Sequence, residues 1–177
     1  MTQLVKFLGR AAVCLAVAAG AALPAAAQQR GGTLNMIVNP EPPTLMLGLN
    51  QLSGVQMIGG KIYQGLLTYD SNLNPQPGLA KSWTVSDDGL TYTFKLQDGV
   101  KWHDGKPFTS ADVVFTTTKF LPEVHSRARN NFGHVASVTA PDASTVVFKL
   151  KESFAPFLGS FEVSSAPMVP RHLYEGT

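Results

Sequence analysis

His103 and Asp104 are adjacent in the run Trp102-His103-Asp104-Gly105, which places an imidazole beside a carboxylate. Such a pair can act as a general base or contribute ligands to a metal. Consecutive residues of a strand point to opposite faces, however, so these two side chains would not converge on one ion. Asp104-Gly105 is typical of a turn, and we therefore interpret the motif as a chain reversal.

The other histidines, His125, His134 and His172, show no zinc-like spacing with each other or with His103. His125 and His134 flank Arg127 and Arg129, and of all the histidines these two come nearest to a metal pair. The polar stretch 127–134 lacks helical or strand periodicity, so we expect a solvated loop there. A ligand carboxylate held by the two arginines is the alternative interpretation of that loop.

Motifs for covalent or nucleotide chemistry are missing from the sequence. It contains no G-x-S-x-G elbow, no Walker loop and no dinucleotide fingerprint, because Gly31-Gly32 precedes a predicted strand and does not follow one. The aromatic residues mostly fall on alternating or helical faces, which favours core packing over ligand stacking. We predict no catalytic residue, no metal and no cofactor. A secreted enzyme using His103 or a serine is the alternative from another functional class.

The N-terminus has the pattern of a secretory signal over residues 1–27. Lys6 and Arg10 give a positive start, an apolar run extends from residue 11 to 23, and Ala25-Ala26-Ala27 precedes Gln28. The single cysteine, Cys14, lies inside the apolar run, so the mature chain would carry no lipid and no disulfide. Without Lys6 and Arg10 the 14 basic residues become 12, equal to the 12 acidic ones. We therefore expect a periplasmic protein of a Gram-negative bacterium that does not bind nucleic acid.

The mature chain shows an α+β pattern. We predict a strand over Thr33–Asn39, a helix over Val55–Gly65 and a helix from a Thr109 cap to Phe120, with Asp112 completing a capping box. One predicted hairpin pairs Leu79–Ser86 with Thr91–Gln97, and a second pairs Ala136–Ala140 with Ser144–Lys151. We also predict a short strand at Val100–His103 and a helical turn at Pro156–Phe161. The early strand has no evident neighbour in the sequence.

Five segments together closely resemble one family. They are Pro77-Gly78-Leu79-Ala80 to Trp83, Asp87 to Phe94, Gly99 to Gly105, Thr109-Ser110-Ala111-Asp112-Val113-Val114-Phe115, and Ala140-Pro141-Asp142 to Leu150. The same order of segments is found in extracytoplasmic solute-binding protein family 5, the receptors of ABC importers for dipeptides, oligopeptides or nickel. The resemblance extends from about Gly31 to Pro170.

The resemblance implies the N-terminal part of a two-lobed periplasmic-binding-protein-like fold, of the large type II class with an extra domain. Residues 28–64 would begin the first lobe, residues 65–177 would form the extra α+β domain, and the second lobe would be absent from this N-terminal fragment. The loop after the first strand aligns with a ligand-lining stretch of the family, which assigns Asn50, Gln51, Leu52 and Ser53 to the ligand. A second such loop lies near Phe132.

The resemblance also implies a function without catalysis. The protein would capture short peptides in the periplasm as a monomer and deliver them to the transmembrane subunits of an ABC permease. A nickel chelate, haem or another small solute on the same scaffold remains open. So does a chaperone-like surface that binds unfolded chains.

Overall fold

The computed structural model describes residues 31–176. The chain divides into two units, with the boundary between Ile37 and Val38. The described part of the first unit contains neither helix nor strand, so the strand predicted over Thr33–Asn39 is wrong. Leu34 and Ile37 are 88% and 95% exposed. An alternating pattern supplies the side chains of a strand, but a strand also needs a neighbour that completes its backbone hydrogen bonds.

The predicted signal segment, residues 1–27, lies outside the described residues. Within residues 31–176, no helix has both the length and the apolar character needed to cross a membrane.

The second unit contains short helices and two antiparallel sheets. Its α-helices are α1 (Ser53–Gly59), α2 (Ser110–Phe115), α3 (Leu121–Val124), α4 (Ser126–Phe132) and α5 (Arg171–Tyr174). A π-helical turn, Thr116–Phe120, joins α2 to α3, and a 3-10 helix covers Ala155–Phe161. The small sheet pairs β1 (Leu67–Tyr69) with β2 (Pro75–Pro77). The larger sheet has the order β3-β4-β6-β5, with β3 at Ala80–Val85, β4 at Thr91–Leu96, β5 at Val135–Asp142 and β6 at Thr145–Leu150.

The larger sheet confirms both predicted hairpins. β3 pairs with β4 and β5 with β6, and pairing between β4 and β6 joins the two hairpins, with Phe94 opposite Val146. Tyr92, Phe94 and Leu96 are all buried on one face, as the alternation of β4 predicts. This face carries the core of the unit.

The predicted strand over Val100–His103 is reduced to a single bridge between Lys101 and Pro107. Gly99 and Gly105 adopt φ of +69° and +86°, so tight turns bound this segment on both sides. Proline has no N–H to donate, and the ladder cannot extend through it. The predicted turn at Asp104-Gly105 is confirmed, since the Gly105 N–H donates to the Trp102 carbonyl at 2.9 Å.

Helix α1 ends six residues before the predicted end at Gly65. Gly59 and Gly60 follow one another, and glycine is a poor helix former because its backbone loses the most freedom on folding. Gly65 has another role: a Cβ built on it would lie 2.3 Å from the Phe161 carbonyl oxygen. It is a glycine because two backbone segments approach each other there.

The helix that begins after Thr109 has the predicted cap. The Asp112 carboxylate accepts hydrogen bonds from the Thr109 N–H at 2.8 Å and from its hydroxyl at 3.1 Å. The helix continues beyond Phe120, but it widens into a π-turn. There the hydroxyls of Thr117 and Thr118 donate to the carbonyls four residues earlier, at 2.8 and 2.7 Å. Such back-bonding competes with the regular helical hydrogen bonds.

Helix α4 replaces the loop that the sequence predicts at 127–134. Ala128 and Phe132, four residues apart, are buried on a narrow apolar face. Arg129 donates from its guanidinium to the carbonyls of Pro122 and Glu123, at 2.6 and 2.7 Å, so it ties α4 to the end of α3. Only two apolar residues mark this helix, too few to give a periodic signal in the sequence.

Candidate functional site

The predicted ligand-lining segment, Asn50–Ser53, lies immediately before and at the start of α1. Leu52 is 55% exposed and Ser53 is exposed, whereas Asn50 and Gln51 are half-buried. The Asn50 side chain accepts a hydrogen bond from the Leu52 N–H at 2.8 Å, and the Gln51 carbonyl accepts one from the Gln56 side chain at 2.8 Å. The segment therefore presents two side chains to its surroundings from a backbone that local hydrogen bonds hold.

A histidine 74 residues away anchors this segment. The Gln51 Nε2 atom lies 3.3 Å from His125 Nδ1, and the same Nδ1 accepts a hydrogen bond from the Ala128 N–H at 3.1 Å. His125 Nε2 lies 3.1 Å from the Ser164 carbonyl oxygen. A backbone N–H can only donate and a carbonyl can only accept, so Nδ1 carries the lone pair and Nε2 carries the proton. The ring is held as one neutral tautomer.

Burial opposes protonation of this ring. His125 is 1% exposed, and desolvation lowers its pKa below the ordinary value of 6.5, with the charge of Arg127 acting in the same direction. The hydrogen bond to Ser164 opposes this effect but does not reverse it. His125 is therefore neutral in the folded protein near neutral pH.

Phe132, the other residue that the sequence assigns to the ligand, is 7% exposed. Its ring packs against Phe148, Phe157 and Phe161, with centroid distances of 6.3, 6.2 and 5.7 Å. The structure thus places Phe132 in the aromatic core between α4 and the larger sheet. The His125 cap and Phe132 lie at opposite ends of α4, so both contribute to the position of this helix.

A cavity of about 270 Å³ lies elsewhere in the second unit, and no sequence pattern predicts it. Its walls come from the chain around Tyr63, the Trp102 turn, Met168 and α5. Burial and the neighbouring Tyr174 raise the pKa of Tyr63 to about 12, so its hydroxyl keeps its proton. The Trp102 ring packs edge-on against Phe108, and its buried Nε1 has no hydrogen-bond partner. The rings of Tyr63, Trp102 and Phe108 line the cavity and also pack in the core, as the sequence predicts.

Asp104 does pair with a histidine, but with His172 of α5 and not with its neighbour His103. The Asp104 Oδ2 and His172 Nε2 atoms are 2.6 Å apart, and this hydrogen bond lowers the pKa of Asp104. Both side chains are partly exposed, and Asp104 also lines the cavity. The contact joins residues 68 positions apart, so no local motif could have predicted it.

The histidine pair that came nearest to a metal site has other partners. His134 lies 3.3 Å from Glu152 and stacks on Phe154 at 4.3 Å, while both ring nitrogens of His125 are in hydrogen bonds. In the part of the chain from 31 to 176, no group of three or more His, Cys, Asp or Glu side chains is arranged to hold a metal ion.

Known proteins resemble this chain in sequence and in fold. The glutathione-binding protein GsiB of Escherichia coli O1:K1 is 36% identical over 115 residues, which cover 64% of this chain and 22% of GsiB. NikZ from Campylobacter jejuni, solved with Ni(L-His), is 37% identical with a TM-score of 0.60, over 65% of this chain and 23% of NikZ. The oligopeptide-binding protein AppA from Bacillus subtilis, solved with a nonapeptide, is 29% identical with a TM-score of 0.65, over 73% and 26%.

The chain spans less than a third of the length of the curated relatives that it matches. The part that it covers has the mixed helix and sheet of the periplasmic binding proteins to which it is similar. The model of the bacterial extracellular solute-binding proteins, family 5 Middle, matches residues 74–175, which is more than half of the chain. The protein therefore belongs to family 5 of the bacterial extracellular solute-binding proteins.

Proposed function

We propose that this protein is the receptor of an ABC importer that captures short peptides in the periplasm and delivers them to a membrane permease. It has no catalytic role in this proposal. Ligand bridges two lobes and stabilises the closed form by its greater affinity for that form, and the permease recognises the closed form. The residues of this chain assigned to the ligand are Asn50 to Ser53, while Phe132 lies in the aromatic core under α4.

The observation that carries the proposal is the geometry of the segment 50–53. Its two outward side chains, Leu52 and Ser53, project from a backbone fixed by the Asn50, Gln51 and Gln56 hydrogen bonds. A fixed backbone loses little freedom when ligand binds, so more of the interaction energy appears as affinity. GsiB and AppA are named or solved as binders of glutathione and of a nonapeptide, which supports peptide as the ligand class.

A nickel–histidine chelate is the second candidate. NikZ, at 37% identity, was solved with such a ligand, and this is the observation that favours it. The chelate carries its own ligand atoms, so a receptor can hold it without a cluster of metal-binding side chains.

Thermal unfolding of the full-length protein would distinguish the candidates. Glutathione, a tripeptide mixture, a nonapeptide and Ni(L-His) would be added separately. A ligand at 100 times its Kd stabilises the folded state by about 2.7 kcal/mol. We expect at least one peptide probe to raise Tm and Ni(L-His) to have no effect. Stabilisation by Ni(L-His) alone would replace the peptide assignment, and no stabilisation by any probe would contradict both.

Substitution at the segment would locate the site. We expect Leu52→Arg to weaken peptide binding, because a long charged side chain would enter the space that the ligand occupies. The matched control is Val85→Arg on β3, a strand at the edge of the larger sheet, where the side chain is 40% exposed. Equal affinities of the two variants by isothermal titration calorimetry would contradict the assignment of the segment.

A further inference from the structure

The connection between α4 and the segment 50–53 runs through one ionisable ring. Gln51 and the Ala128 N–H meet at His125 Nδ1, while Nε2 holds the Ser164 carbonyl. The ring thus joins three parts of the second unit that are distant in sequence. It is also the N-cap of α4, since it accepts the hydrogen bond from the third residue of that helix.

Protonation is incompatible with this arrangement. A second ring proton would point Nδ1–H at the Ala128 N–H, 3.1 Å away, where there is no acceptor. The Gln51 amide can rotate to offer its oxygen, but the Ala128 N–H belongs to the helix backbone and cannot rotate. The protonated ring must therefore move, and its contact with Gln51 moves with it.

Among the charged side chains, Arg127 acts on the pKa of His125, and its like charge opposes a positive ring. Glu162 uses its carboxylate to accept hydrogen bonds from the Ser164 N–H and hydroxyl, and Arg129 donates to backbone carbonyls at the end of α3. Glu123 is exposed, and the segment 50–53 contributes no titratable side chain.

We propose that His125 is a positioning residue whose neutral imidazole holds the segment 50–53 in its ligand-facing arrangement, and that protonation of the ring releases the segment. Acidification of the periplasm would then lower ligand affinity without a change in any residue that contacts ligand. The ligand part of this inference rests on the proposed function, whereas the release of the segment does not.

Hydrogen exchange measured by mass spectrometry tests the release without any ligand. In the wild type, the protection factor of amides in 50–56, corrected for intrinsic exchange, should fall between pH 7.5 and 5.0. The limit of the fall is about fivefold, the loss that corresponds to one net hydrogen bond. His125→Asn keeps an acceptor for the Ala128 N–H and does not titrate, so its protection should not change with pH. Gln51→Leu should show low protection at both pH values.

Calorimetry with glutathione at pH 7.5 and 5.5 tests the effect on the ligand. Comparison of the wild type with His125→Asn at each pH cancels any titration of the peptide itself. We expect Kd to rise more in the wild type than in the variant, by up to about fivefold when the ring is fully protonated. Wild-type protection that does not depend on pH, or an equal fall in His125→Asn, would overturn the inference even if glutathione binds. A pH-dependent release with no binding of any probe would instead support the positioning role and contradict the proposed function.

Discussion

Replacement of Gly65 by alanine should strongly destabilise the protein. The new Cβ would lie 2.3 Å from the Phe161 carbonyl oxygen, 2.8 Å from the Val163 nitrogen and 3.0 Å from the Glu162 carbonyl carbon. All three atoms belong to the backbone, so no side chain can rotate away. To bring the Cβ at least 3.0 Å from the Phe161 oxygen, either the backbone at Gly65 or the backbone at 161–163 must move by about 0.7 Å.

The expected loss follows from the contacts around this approach. Overpacking costs about 1–3 kcal/mol. The same displacement strains the hydrogen bonds from Leu79 N–H to the Gly65 carbonyl (3.1 Å) and from Met168 N–H to the Gln64 carbonyl (3.0 Å). Each is worth about 1 kcal/mol net. We therefore expect Gly65→Ala to lower the free energy of unfolding by about 3 kcal/mol, or Tm by roughly 10 °C.

Urea unfolding followed by tryptophan fluorescence measures this directly, because both tryptophans of the chain, Trp83 and Trp102, lie in the second unit. Gly159→Ala is the matched control. A Cβ at Gly159 meets no atom within 4 Å, so this variant should change stability by less than about 1 kcal/mol. Our reasoning about the backbone approach is refuted if Gly65→Ala is as stable as the control at an unchanged m-value.

Three further changes test other parts of the fold. Phe148→Ala removes a ring that contacts the rings of Phe94, Phe132, Phe157 and Phe161. It should lower the free energy of unfolding, measured in urea, by about 3–5 kcal/mol. A loss below about 1 kcal/mol would mean that these rings do not form one core. Leu73→Asn should raise the free energy of unfolding by about 1 kcal/mol, because Leu73 has φ +62° and is 79% exposed, and asparagine tolerates this conformation better. A fall in stability would contradict the turn geometry. The pKa of His125 is lowered on folding, so the unfolded chain binds the proton more readily than the folded protein does. The contribution of the neutral ring to the free energy of unfolding is therefore complete above pH 6.5 and is lost as the pH falls from there toward the folded pKa. Urea midpoints of the wild type and His125→Asn should therefore converge below pH 6.5, and a constant difference would argue against a buried neutral ring.

Local signals in the sequence were reliable where neighbours in the chain are also neighbours in space. The hairpins were predictable because turn residues separate two alternating runs, and the cap of α2 was predictable because Thr109 and Asp112 are three residues apart. The early strand and helix α4 were not predictable. A strand depends on a partner whose identity the pattern does not reveal, and α4 depends on Ala128 and Phe132 packing against distant residues.

Patterns in the amino-acid sequence were sufficient to identify the family, the α+β character, the two hairpins and the segment 50–53 as a candidate for ligand contact. Tertiary structure alone decided that His125 is buried, neutral and bonded to Gln51, that Asp104 pairs with His172, and that Gly65 lies against the backbone of Phe161. The difference lies in the distance along the chain over which each interaction acts. Periodicity, capping and turn preferences act over a few residues and are visible in the chain, whereas these three contacts join residues 68 to 96 positions apart and exist only once the sheet and helices have packed.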